Sequence, residues 1–205
     1  MNGLQRLTRT LATLGVLGVG GAVWADIPRP PPAPGLVFPE FHFTSQADVS
    51  RVFIPMEGSL QGELQGSGEQ AFVRLPGNFS GTDHERCSWD LRVQADLAVA
   101  QGIQFLLYVG DSAPISNLAV YFHSGDGWYR ASIGVERDGV WERIAVDKSS
   151  TSAEEDPGGW AEIDLIRISA WRARSDADTE LGLASLGPVG TDSPILIMRA
   201  DSLAG

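Results

Sequence analysis

A serine hydrolase needs a hydroxyl nucleophile, a histidine base within reach and a carboxylate to orient that base. The chain carries Gly-Asp-Ser at Gly110 to Ser112 and Ala-Asp-Ser at Ala200 to Ser202, but its three histidines are His42, His84 and His123. None follows His123, so the late Asp-x-x-His block that such a hydrolase requires is missing, and there is no G-x-S-x-G elbow. These short motifs read as turns. The histidines form no H-x-H or H-E-x-x-H pair for a transition metal. Asp83 and Glu85 in "TDHE" offer oxygen ligands in a loop, so a structural calcium is the one cofactor left open. The plainer reading is two solvated carboxylates.

The aromatics offer more. "YFHSGDGWYR", residues 121 to 130, places Tyr121, Phe122, His123, Trp128 and Tyr129 around two glycines. Tryptophan and tyrosine rings stack on the apolar faces of sugars at low cost in side-chain entropy. Parity along the strands sorts the tryptophans. Trp89 alternates with Leu91 and Val93 and belongs in a core; Trp141 opens a strand with Ile144 and Val146 and is expected to be buried too. Trp171 falls with Arg167 and Ser169 on the more polar face of its strand. Trp128 and Trp160 each follow glycine in "GDGW" and "PGGW", which read as loops. Trp128, Tyr129, Arg130, Trp160 and Trp171 are therefore the expected ligand-binding set, with Arg92, Arg130 and Arg167 as donors to hydroxyls or a carboxylate. The plain alternative is that these aromatics plug the ends of a core.

One enzymatic reading competes. Alginate-type lyases of the β-sandwich class carry a strand like Y-F-K-x-G-x-Y-x-Q, and Tyr121, Phe122 and Gly125 resemble its start. His123 stands in place of the lysine and Arg130 in place of the glutamine. The partner strands R-x-E-x-R and Q-I-H or Q-V-H are absent, so nothing neutralises a uronate carboxylate or removes its C5 proton. The chain reads as no enzyme. A lyase remains the catalytic alternative, seeded only by His123 and Tyr121.

The elements that must position these residues form one domain with extensions in a chain of 205 residues. Arg6 and Arg9 precede "TLATLGVLGVGGAV", an apolar run too short to span a bilayer comfortably, and "VWA" supplies a small residue for cleavage after Ala25. Residues 1–25 thus read as a signal peptide and the protein as exported, to periplasm or beyond; the alternative is an uncleaved anchor. Formal charge is -11 for the whole chain, and -13 once Arg6 and Arg9 are removed. Such acidity provides no footprint for nucleic acid or an anionic membrane surface, and it disfavours a strongly anionic polysaccharide unless basic residues gather in one groove. Cys87 is the single cysteine, so no intrachain disulfide supports the core.

Residues 26–39 hold six prolines in 14 positions and read as an extended spacer. From residue 40 the chain reads as strands and turns. "WDLRVQADL" alternates without a fault, "IQFLLYVG" is apolar on both faces, and "NLAVYFHS", "WYRASIGV", "VWERIAVDK" and "EIDLIRISAWR" follow. "GDG" reads as a tight turn between two strands, and "SSTSAEEDPGG" as a long polar loop. Turn signals at these intervals predict an all-β fold, an antiparallel β-sandwich of the jelly-roll kind over residues 40–190. Residues 191–205 contain an apolar run, Ile195 to Met198. It reads either as a further sandwich strand or as the first strand of a truncated α/β domain.

"EGSLQGELQGSGEQAFVRLPG", "WDLRVQADL", "GVWERIAV" and "IDLIRISAW" resemble, in that order, the strands of galactose-binding-like jelly rolls, the fold of many carbohydrate-binding modules. The combination of "LAVYFHSGDGWY", "GVWERIAVDK" and "GGWAEIDLIRISAWR" is similar to N-terminal accessory domains of exported bacterial proteins. The resemblance covers about 130 residues from Glu57 to Leu186 and implies a fold, not a catalytic residue. It implies a glycan as ligand and a downstream catalytic domain or enzyme as partner. The alternative role is a structural domain packed on such a downstream catalytic region.

Overall fold

The computed structural model describes residues 26–32 and 35–190; residues 1–25, read as a signal peptide, and Ile195 to Met198 lie outside the described residues. A short helix, α1 (Gln46–Val52), departs from the expectation of strands and turns alone. Ser45 accepts from the Asp48 N–H, and the Asp48 carboxylate accepts from the Ser45 N–H at 3.0 Å, a reciprocal cap on the first turn.

Ten strands follow among the described residues: β1 (Phe53–Met56), β2 (Glu63–Gln65), β3 (Phe72–Gly77), β4 (Arg86–Ala95), β5 (Gly102–Val109), β6 (Ile115–Ile133), β7 (Trp141–Asp147), β8 (Ser152–Pro157), β9 (Ile163–Arg172) and β10 (Thr179–Val189). They form two five-stranded sheets, β1-β4-β9-β6-β8 and β2-β3-β10-β5-β7, with every pair antiparallel. The fold is an all-β sandwich. Its core is the facing halves of the period-two pattern. Trp89, Leu91 and Val93 of β4 and Ile166 and Ile168 of β9 meet Phe105 and Leu107 of β5 and Leu181 and Leu183 of β10. Each such side chain contributes about 1.5–3 kcal/mol on burial.

Strand β5 is apolar on its second face because that face is covered as well. Leu106 packs with Phe72 and Ala184 under Ile27 and Trp141. Trp141, expected to be buried, is half-buried and packs on this second cluster. An odd position on β7 puts it opposite Ile144 and Val146, on the outer face of the second sheet, where its indole N–H donates to the Pro28 carbonyl at 2.6 Å. The proline-rich segment lies along the sandwich here, and Phe38 is fully buried in the core.

Two turn readings are overturned. "SSTSAEEDPGG" contains a strand, β8, at the edge of the first sheet. "YFHSGDGWYR" is not a hairpin but the middle of one 19-residue strand. The first arm of β6 pairs with β9 up to His123; the second pairs with β8 from Gly125. The arms never pair with each other. Leu118, Val120 and Phe122 face the core before the glycines, and Ala131 and Ile133 after them, so the inward parity changes from even to odd. Gly125 at φ +60° supplies the irregular step. Gly127 lies so close to β8 that a Cβ would stand 2.5 Å from the Pro157 nitrogen.

Candidate functional site

The parity change decides which side chains share the outer face of the first sheet. Tyr121 and His123 point outward from the first arm of β6, and Trp128 and Arg130 from the second. The bend brings the Trp128 ring 6.3 Å from that of Tyr121 and 4.6 Å from that of His123. Five residues of straight strand span about 16 Å, so only a bent strand allows the second distance. Trp128 is thus on a strand, not in the loop that "GDGW" suggested.

Cross-strand register arranges this face in rows. Arg86, Trp171 and Asn117 make one row, Ser88, Ser169 and Ala119 the next, and Asp90, Arg167 and Tyr121 the third. The middle row is small and fully buried between two taller walls, with Ser88 and Ser169 bonding each other at 2.8 Å. The result is a groove of about 530 Å³ lined by Arg86, Tyr121, Trp128, Arg130, Glu154, Glu155, Arg167 and Trp171. The walls stand four residues apart along the strands, about 13 Å.

Charge in the groove is locally matched. Arg167 donates through Nε and Nη2 to the two oxygens of Asp90, at 2.5 and 2.9 Å, and its guanidinium lies 4.4 Å from the Trp128 ring centroid. The Asp90 hydrogen bond, more than the opposing effect of burial, raises the Arg167 pKa above its ordinary range. Arg86 donates to both oxygens of Glu57, at 3.2 and 3.0 Å, and lies 4.9 Å from the Trp171 ring. That contact holds the Glu57 carboxyl below the usual range. Arg130 donates through Nε to the Tyr121 hydroxyl at 3.2 Å, and its closest carboxylate, Glu154, stands 3.8 Å away. Among the described residues the nitrogens at the tip of this guanidinium fork make no hydrogen bond. Vicinal hydroxyls of a sugar, stacked on Trp128, suit such a fork.

The structure divides the expected set. Trp128, Arg130 and Trp171 meet in the groove, all half-buried. Tyr129 and Trp160 do not. They occupy the other side of β6, stacked at 4.3 Å and 17° against the core edge, with Phe122 beside the Trp160 ring at 5.2 Å. Arg92 is exposed on β4 beyond the lining residues. Sequence reasoning did not single out Arg86, Asp90, Glu154 or Glu155. The first two were visible as the polar parity of β4; the acidic pair was hidden by reading β8 as a loop. Asp83 and Glu85 are exposed, and among the described residues no three His, Cys, Asp or Glu side chains gather into a metal-binding group. His123 Nδ1 contacts the Asp164 carboxylate at 2.6 Å, at the border of the groove. No helix among the described residues is long and apolar enough to cross a membrane.

No protein-family model matches the chain. No curated protein matches it either. Solved structures do. The family 11 carbohydrate-binding module from Clostridium thermocellum, in complex with a β-1,3-1,4-mixed-linked tetrasaccharide, superposes with a TM-score of 0.52 at 14% identity, covering 68% of this chain and 88% of that one. The family 11 module of the cellulosomal cellulase Lic26A-Cel5E from the same organism gives 0.52 at 12% identity over 68% and 86%. A solution structure of CtCBM11 gives 0.50 at 14% over 69% and 88%. At such identities the likeness is one of architecture: the domain has the β-sandwich fold of carbohydrate-binding modules.

Proposed function

We propose that this chain is an exported, non-catalytic module that binds a neutral or weakly charged glycan along the groove of the first sheet and holds a partner enzyme or domain near it. The observation that carries the reading is the joint placement of Trp128, Arg130 and Tyr121. An aromatic platform backed by an anchored guanidinium stands beside a fork with free donors, in a groove that the fold leaves open. The architecture shared with carbohydrate-binding modules supports it. So does the basic and apolar leader, for export.

Charge argues for the class of glycan. Three guanidiniums, from Arg86, Arg130 and Arg167, face four carboxylates, from Glu57, Asp90, Glu154 and Glu155, in a chain of net charge -11. A polyanion would meet repulsion here, whereas hydroxyls find donors and acceptors. Asp90, a buried carboxylate of the third row, is committed to Arg167, which supports the non-catalytic reading.

A glycan array followed by affinity electrophoresis tests the proposal. The native protein is expected to retain one class of neutral glycan, and Trp128→Ala to weaken that binding at least about tenfold, as loss of a stacking ring should. Retention of none of the glycans, or an unchanged Trp128→Ala variant, overturns it.

A further inference from the structure

The two ends of the groove differ. At the Trp128 end the guanidinium beside the ring is that of Arg167, tied down by Asp90. At the other end Arg86 lies over Trp171 from the neighbouring strand, directly opposite it in register, with its Nε and Nη2 on Glu57. Glu57 sits in the turn after β1 at φ +51°, a left-handed conformation that non-glycine residues seldom adopt. The turn therefore holds an uncommon backbone at the very residue that anchors Arg86. Under this arrangement the Trp171 indole Nε1 is buried and has no hydrogen-bond partner among the described residues. Buried indole N–H groups nearly always have one.

We propose that Trp171 is a second sugar-stacking position, closed in the free protein by Arg86 acting as a displaceable cover. This rests on the glycan-binding reading above and adds a length requirement to it. A neutral oligosaccharide seated on Trp128 and running between the two walls toward Trp171 must cover about 13 Å before it meets the second ring. Only a chain of that length displaces Arg86, stacks on Trp171 and offers a hydroxyl oxygen to the waiting Nε1–H. A neutral ligand suits the exchange because Arg86 can swing outward with Glu57, whose side chain is 59% exposed, and leave no charge unpaired. An anionic unit would instead compete with Glu57 for the guanidinium.

Two readouts on the full chain test this, one of them without any ligand. In limited oxidation with N-bromosuccinimide, mapped by peptide mass spectrometry, native Trp171 should react well behind Trp128. Arg86→Ala and Arg86→Met should bring it level, with Trp128 unchanged. The Met variant keeps the apolar stem, so agreement between the two separates loss of the cover from local unfolding. Trp171 already as reactive as Trp128 in the native protein, or unmoved by either substitution, overturns the cover. In titration calorimetry with β-1,3-1,4-linked glucan oligosaccharides, Arg86→Ala should tighten the hexasaccharide about fivefold relative to the disaccharide, the scale of one exposed cation–π contact. Weaker binding of both would make Arg86 itself a ligand contact and overturn the cover. A native protein that retains no glycan at all sinks the module reading, and the oxidation result still decides whether Arg86 covers the ring.

Discussion

Arg167 and Asp90 join the stability of the sheet to the placement of Trp128, and substitution can separate the two roles. The Asp90 side chain is 8% exposed and that of Arg167 17%, with both guanidinium–carboxylate bonds formed. Arg167→Met leaves a carboxylate in the sheet with no countercharge, a defect that costs about 3–5 kcal/mol when a buried pair is broken. The partial exposure of Arg167 places the expectation near the lower end, about 3 kcal/mol. With a urea m-value of about 2 kcal/mol/M, the unfolding midpoint should fall by roughly 1.5 M. The double variant Asp90→Leu, Arg167→Met removes both charges and keeps the apolar volume, so it should return to within about 1 kcal/mol of the native protein. Binding should not return with it. In single and double variants alike, Trp128 loses the guanidinium that lies 4.4 Å from its ring, and glycan affinity should fall about three- to thirtyfold in both. Urea denaturation followed by tryptophan fluorescence, paired with calorimetric binding, reads both quantities. A single-variant cost below about 1 kcal/mol, or a double variant that regains full binding, refutes the reasoning.

Other expectations follow from neighbouring features. Gly127→Ala drives a methyl group into the β8 backbone, so it should lower the melting temperature and weaken glycan binding together, as calorimetry would show. Trp160→Ala, on the core side of β6, should cost about 2 kcal/mol in urea denaturation yet leave glycan affinity of the folded protein unchanged. Burial pushes the Cys87 thiol up to about 11, so the native protein should ignore Ellman's reagent at pH 8 and release one thiol equivalent only when unfolded. The Asp48 carboxyl is held down at about 2, chiefly by the Thr44 hydroxyl, so its cap stabilises the fold above the unfolded carboxylate range and is lost as pH falls through about 2. Carboxyl chemical shifts followed from pH 5 to pH 1.5 should show Asp48 titrating after the ordinary aspartates.

Much of the sandwich was legible because it depends on period two alone. The alternation of Trp89, Leu91, Val93 and Ala95 in "WDLRVQADL" is their burial pattern in the structure, and the same count on β9 set Trp171 apart from Ile166 and Ile168. What failed depended on distant partners. β8 is polar at almost every position, and only its ladder to the second arm of β6 makes it a strand. The second apolar face of β5 is filled by Ile27 and Trp141, which reach it from both ends of a long stretch of chain. Trp141 itself was a local mistake, since counting from Ile144 and Val146 already places it on the opposite face.

The glycines of β6 show why a binding site is harder to read than a core. "GDG" between two apolar runs carries the signal of a two-residue hairpin, and that signal is local. Whether the flanking arms pair with each other or with third strands is not local. It was settled by β9 and β8, whose sequences begin some 20 to 40 residues away. The difference is decisive for function because side-chain direction has period two. A single irregular residue at Gly125 exchanges the roles of Trp128 and Tyr129, sending the first to the groove with Tyr121 and the second to the core with Trp160. Both are aromatic neighbours after a glycine, and no feature of residue type distinguishes them. The bend distinguishes them, and the groove depends on it: a straight β6 would carry Trp128 away from Arg167 and leave that end of the groove without the indole.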